Sequence, residues 1–92
     1  MKFDEQKPRP SLVYYSLIKE IAKVRQYGIE KYGHSEDWRE TTNQEERYKD
    51  AILRHIFEYI EGEENDQESG LKHLAHAACN IMFLIEGEKE NE

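Results

Sequence analysis

A chain of 92 residues has room for one domain, and 37% hydrophobic against 36% charged residues gives a lone monomer only a thin core. Twenty acidic against 13 basic side chains, a formal net charge of -7, disfavour duplex nucleic acid and anionic membrane as partners, while carboxylates suit the capture of divalent cations. The one cysteine, Cys79, excludes an intrachain disulfide and lies in the small apolar run Ala77-Ala78-Cys79, where it reads as a buried hydrophobe. No secretory signal opens the sequence, and the apolar run 81–85 is too short to cross a bilayer, so the cytoplasm is the expected compartment.

Residues 1–10 are polar, with Pro8 and Pro10 around Arg9, and predict an extended lead-in. Ser11 can cap a first helix over about Leu12 to Tyr32, with Leu17, Ile21 and Val24 on one face and Gly33 as its stop. From His34 to Asn43 the apolar period disappears, which predicts a polar loop carrying Trp38. Thr42 or Asn43 can cap a second helix over about Gln44 to Ile60, with Glu45 and Glu46 favouring its N-terminus. Its apolar stripe is Tyr48, Ile52, Ile56 and Tyr59, with Ala51 and Ile60 adjacent.

An acidic, turn-rich connection follows over residues 62–70, in which Asp66 or Ser69 can cap a third helix over about Leu71 to Glu86. The stripe Leu71, Leu74, Ala78, Met82 and Ile85 should face the core there, with Gly87 as the stop. These elements predict an all-α fold, a small antiparallel bundle of about three helices over residues 11–88, with an acidic tail over 89–92. The sparse apolar content predicts a core completed by homo-oligomerisation.

Three groups of residues can carry chemistry. Glu58 and Glu61 are one helical turn apart, and Glu63, Asp66 and Glu68 follow in the connection. Oxygen ligands so spaced can converge on Mg²⁺ or Mn²⁺, or they form a solvated acidic face. His73, His76 and Asn80 share a face of the third helix, and His55 on the second can join them. With acids nearby this is either an acid–base cluster or a set of satisfied core groups. Lys31, Trp38 and Arg39 can hold phosphates and a base, or Trp38 can plug the end of the bundle. Arg54 is a further interior cation, with Asp50 one turn earlier as an i,i+4 partner.

The order of motifs is distinctive. Lys7-Pro8-Arg9-Pro10-Ser11-Leu12 is followed by Tyr27-Gly28-x-x-Lys31-Tyr32-Gly33, Trp38-Arg39 and Tyr48-x-Asp50-Ala51-x-x-Arg54-His55. Then come Glu61-Gly62-Glu63-x-x-Asp66-x-Glu68-Ser69-Gly70 and the run from His73 to Asn80, ending near Phe83-Leu84. This series resembles the N-terminal domain family of phage and prophage dATP/dGTP diphosphohydrolases, relatives of the MazG-like nucleotide pyrophosphohydrolases. The resemblance implies a bacterial host cell, a role in purine deoxynucleotide pools and Mg²⁺-dependent cleavage of a nucleoside triphosphate to monophosphate and pyrophosphate. In the wider superfamily a Glu-x-x-Glu pair on one helix is joined by Glu-x-x-Asp on the next. Glu58-x-x-Glu61 fits the first pair, whereas Glu63-x-x-Asp66 falls in a turn and the next helix bears His73, His76 and Asn80.

The expected function is therefore metal-dependent hydrolysis of a purine deoxynucleoside triphosphate. Asp50, Glu58, Glu61, Glu63 and Asp66 are the metal candidates, and His73, His76 and Glu63 the catalytic ones. Lys31, Trp38, Arg39, Arg54, His55 and Asn80 would hold the nucleotide. The alternatives are a module that sequesters a nucleotide or cyclic nucleotide without turnover, and a purely structural protein.

Overall fold

The computed structural model describes residues 6–33, 37–40 and 43–90. Among them the fold is all-α: a 3-10 turn over Pro10–Leu12, then α1 (Tyr15–Tyr32), α2 (Asp37–Glu40), α3 (Gln44–Ile60) and α4 (His73–Glu90). No helix among these residues is long and apolar enough to cross a membrane.

The first long helix starts later than its apolar period suggests. Proline's fixed φ suits the first position of a short turn, and Pro10 occupies it. Val13 and Tyr14 are then extended, so helical backbone begins only at Tyr15. Ser11 lies inside the 3-10 turn and Tyr14 holds the N-cap position with no side-chain bond, so Ser11 is not the cap. Gly33 does end α1: its φ of 111° lies in the left-handed region, and its N–H donates to the Ile29 carbonyl.

The expected loop between α1 and α3 contains the short helix α2. Asn43 precedes α3 in a left-handed conformation and makes no side-chain cap; its carbonyl instead accepts the Arg47 N–H at 3.1 Å. Thr42, the other expected cap, lies outside the described residues. Glu45 and Glu46 occupy the first turn as expected, and Lys49 pairs with Glu45 at 3.1 Å.

The last helix departs most from expectation. It begins at His73 rather than Leu71, and neither Asp66 nor Ser69 caps it, because both side chains serve the preceding turn. It also continues through Gly87 to Glu90. A Cβ at Gly87 would stand 3.8 Å from the Gln44 side chain, so this glycine lies where the start of α3 comes close. An Arg39–Glu90 ion pair ties the end of α4 to α2.

α4 is the central element, packed most extensively on α3 and also on α1. Contact on two sides buries a broad arc of α4 rather than a narrow stripe. His73, Ala75, His76, Ala77 and Cys79 are buried, while Leu74 and Ile85, expected inside, are exposed. Leu17, Tyr59 and Ile60 are likewise exposed rather than buried. Alanines let neighbouring backbones approach, and the polar stripe beside them is carried inward. The core cluster is Val24, Ala75 and Cys79, with Ile21, Leu71, Met82 and Phe83 packed around it. Burial pushes the Cys79 thiol up to about 11, consistent with an inert core cysteine.

α3 stops where Glu61 N–H and Gly62 N–H turn back to the carbonyls of Phe57 and Tyr59. Gly62 has φ 106°, a conformation that side chains disfavour, and open space around its α-carbon. Gly62→Ala is therefore expected to lower stability by about 1–2 kcal/mol through backbone strain alone. Urea unfolding measures this; an unchanged midpoint would contradict the assigned turn.

Candidate functional site

The α3–α4 connection is tightly knit despite its charge. Asp66 N–H donates to the Leu71 carbonyl and Gly70 N–H to the Asp66 carbonyl, each at 2.8 Å, while His73 N–H donates to the Glu64 carbonyl at 2.9 Å. The Asp66 carboxylate accepts the Ser69 N–H at 2.8 Å, and the Ser69 hydroxyl oxygen accepts the Leu71 N–H at 3.1 Å. Gly70, at φ 75°, makes the last bend. This folding carries the turn's polar side chains over the N-terminal part of α4.

There they meet the buried histidines. His73 is joined through Nε2 to Glu63 at 2.6 Å and through Nδ1 to His55 Nδ1 at 2.8 Å. The Glu63 carboxylate is an acceptor, so His73 donates its Nε2–H, and one proton between the two facing Nδ1 atoms joins the His73 and His55 rings. The His55 and His76 rings are stacked, with centroids 4.5 Å apart and 8° between planes. His76 Nε2 is 2.7 Å from the Ser69 hydroxyl, and the edge of Tyr27 meets its ring. Asn80 donates from Nδ2 to the His76 carbonyl at 2.8 Å, a bond within its own helix.

Electrostatics follow from this enclosure. Burial, reinforced by His76 and His73, holds His55 well below its ordinary value, at about 4. Burial also depresses His76, although Asp66 opposes the effect. Asp66 loses solvent as well, which favours its neutral form, but the Ser69 hydrogen bonds and the neighbouring imidazoles prevail and lower its pKa.

Two cavities adjoin the cluster. One of about 500 Å³ is lined by Arg54, His55, Glu58, Glu63, Asp66 and His73 among others. The second, an open cleft of about 930 Å³, is lined by Lys31, Trp38, Asp50, Arg54, His55, Asp66, His76 and Asn80 together with residues of α1 and Phe83. His55, Asp66 and Arg54 border both.

The sequence candidates thus divide. His55, His73, His76, Glu63 and Asp66 come together. Among the described residues, the group of three metal-ligating side chains with mutually close donor atoms is His55, Asp66 and His73, all within 4.8 Å. Asp50, Glu58 and Glu61 are not in such a group: Asp50 lines the large cleft, Glu58 the small cavity, and Glu61 is exposed at the end of α3. Among the described residues no Asp50–Arg54 ion pair is found, although both line the cleft. Trp38 is buried, with its ring stacked on Phe83 at 4.8 Å and its carbonyl accepting the Tyr48 hydroxyl. Arg39 lies over the Trp38 ring and pairs with Glu90. Lys31 is paired with Glu68, whose carboxylate also accepts the Tyr27 hydroxyl at 2.7 Å.

Sequence reasoning passed over Ser69 and Tyr27 as site residues. A serine before a glycine in a turn reads as a cap, and the 41-residue separation of Tyr27 from Glu68 hides their contact.

A small helical domain with a histidine–carboxylate cluster opening on a large cleft is the class these features define. The chain belongs to the family described as dATP/dGTP diphosphohydrolase, N-terminal, whose model matches residues 1–92. It is 38% identical over 85 residues to a protein of Salmonella phage PMBT28 named dATP/dGTP diphosphohydrolase. That match covers 92% of this chain and 28% of the phage protein, so the chain spans less than a third of its relative's length. No solved structure matches the chain.

The depressed histidines give stability a pH dependence. An unfolded chain protonates His55 and His76 near 6.5, whereas the folded rings resist until lower pH, about 4 for His55. Between these values the unfolded state binds more protons, so stability falls as pH drops from about 6.5 towards 4. Melting temperature is expected to decline across that window and to hold steady just above it. A flat profile would show that the rings are not held neutral by burial.

Proposed function

We propose that this domain binds a purine deoxynucleoside triphosphate, dATP or dGTP, in the large cleft and takes part in its hydrolysis to monophosphate and pyrophosphate in the cytoplasm of a phage-infected or prophage-bearing bacterium. The observation that carries this reading is the shared border of the two cavities, where His55 and Asp66 stand beside Arg54. A proton-accepting cluster and a phosphate-binding cation thereby meet at one opening. The name of the phage relative supplies the nucleotide class.

Breaking the α–β phosphoanhydride needs an activated water and neutralisation of the polyphosphate charge. His76 suits proton acceptance because burial keeps its ring neutral. Its Nε2 bonds to the Ser69 hydroxyl, which holds the ring in place. Arg54 and Lys31 are suited to the phosphates, with Lys31 exchanging its Glu68 partner for the ligand. Asp50 and Asn80 line the cleft as polar groups for the nucleoside, whereas Trp38 must leave Phe83 to stack on a base. A divalent cation would be held by His55, Asp66 and His73, rather than by the carboxylates Asp50, Glu58 and Glu61, and would lower the pKa of bound water while neutralising phosphate charge.

Pyrophosphate release from a panel of nucleoside triphosphates, with and without divalent metal, tests this reading. Asp66→Asn is expected to lower the rate by at least about 100-fold, the scale of general acid–base catalysis. The asparagine carbonyl can still accept the Ser69 N–H, so the fold should persist. Binding of dATP or dGTP without cleavage would instead favour a sequestering module. The exposed side chains of Tyr14, Tyr15, Ile18 and Phe57 beside so small a core support the further proposal of a homo-oligomer. Light scattering at micromolar concentration should give a mass above 11.0 kDa, and a monomer would refute it.

A further inference from the structure

We propose that His55, Asp66 and His73 form a site for a nitrogen-accepting divalent metal, Co²⁺ or Zn²⁺, in preference to Mg²⁺, with Glu63 as the positioning residue for His73. The inference deepens the hydrolytic reading at the same cluster, but its physical basis is independent of turnover.

Three elements converge here: His55 comes from α3, Asp66 from the connection and His73 from α4. Their donor atoms lie within 4.8 Å of one another without any rearrangement of the backbone. Two of the three donors are imidazoles. Mg²⁺ demands near-octahedral oxygen coordination and sheds water reluctantly, whereas imidazole suits the transition metals and Zn²⁺. The acids that would make an all-oxygen site, Asp50, Glu58 and Glu61, do not join the group.

The surroundings match what a histidine ligand needs. A metal-bound imidazole usually donates its other ring N–H to a carboxylate, which fixes its tautomer and orientation. His73 does this through Nε2 to Glu63 at 2.6 Å, leaving Nδ1 towards His55. Gln67 in turn donates to the other Glu63 oxygen at 2.9 Å, fixing the carboxylate. The two Nδ1 atoms face each other at 2.8 Å, a contact that requires a proton or a cation between their lone pairs. His76, stacked on His55, fixes the plane of that ring. The small cavity borders all three ligands and leaves room on the open side for water or a phosphate oxygen.

The test uses the whole chain freed of metal by chelation, titrated with Co²⁺ and with Zn²⁺. Saturable uptake of one equivalent is expected, with Co²⁺ visible absorption and with the ring nitrogens of His55 and His73 shifting together in nitrogen-detected spectra of the wild-type protein on Zn²⁺ addition. Millimolar Mg²⁺ should not displace either metal. Glu63→Gln should weaken uptake by about 10–100-fold while the circular dichroism stays helical. Absence of saturable uptake, displacement by millimolar Mg²⁺, or uptake that leaves either ring unshifted would each overturn the assignment. Nucleotide hydrolysis supported by Mg²⁺ with no Co²⁺ or Zn²⁺ uptake overturns this inference alone. Uptake as described in a protein that cleaves no nucleotide supports it and removes only the hydrolytic reading.

Discussion

Two imidazoles lie buried on α4, and burial obliges each to find hydrogen-bond partners from within the protein. The α3–α4 connection provides them: Glu63 takes His73, and Ser69, held by Asp66, meets His76. Docking α3 on α4 and completing the polar cluster are therefore one event. An unpaired buried ring would cost about 1–3 kcal/mol, a large part of the stability expected of a domain this small. The tight backbone bonding of the turn serves the same end, because a loose turn could not hold carboxylates at hydrogen-bond distance from rings on a neighbouring helix.

The cluster also divides charge in a way its composition hides. The chain is strongly acidic overall, yet His55 and His76 are kept neutral by burial while Asp66 is kept ionised by Ser69. Neutral imidazoles beside a fixed carboxylate present ring-nitrogen lone pairs near pH 7. Lys31 and Arg54 line the same cleft as Asp50 and Glu68. Glu68 holds Lys31 and Tyr27 together, which links α1 to the same turn that the histidines require. One twelve-residue connection thus bonds to α4, organises α3 and reaches α1, and the packing of Val24, Ala75 and Cys79 closes the gap between α1 and α4 behind it.

Apolar side chains are distributed unevenly around this frame. The core is made of small residues because α4 sits between two helices, and alanine permits close approach. Larger side chains such as Phe57 on α3 and Ile85 on α4 remain exposed. A helix that is contacted from two directions has no single stripe for its large residues to share, so the amphipathic pattern marks faces without saying which one a neighbour covers.

The sequence by itself determined the helical class, the positions of the long helices to within a few residues, the burial of Cys79 and the grouping of His73 with His76 on one face. These properties are local: a period of 3.6, glycines that take positive φ at Gly33 and Gly62, and the direction of side chains along a helix follow from neighbours in the chain. Only the tertiary structure decided that the histidine face rather than the Leu74–Ile85 face turns inward, that α4 runs past Gly87, and that His55, Asp66 and His73 converge while Asp50, Glu58 and Glu61 do not. Each of those outcomes depends on which helix approaches and from which side. A spacing of three or four residues brings side chains onto one face, but the crossing of α3 over α4 and the path of the turn between them set whether donors on different elements meet within a few ångströms.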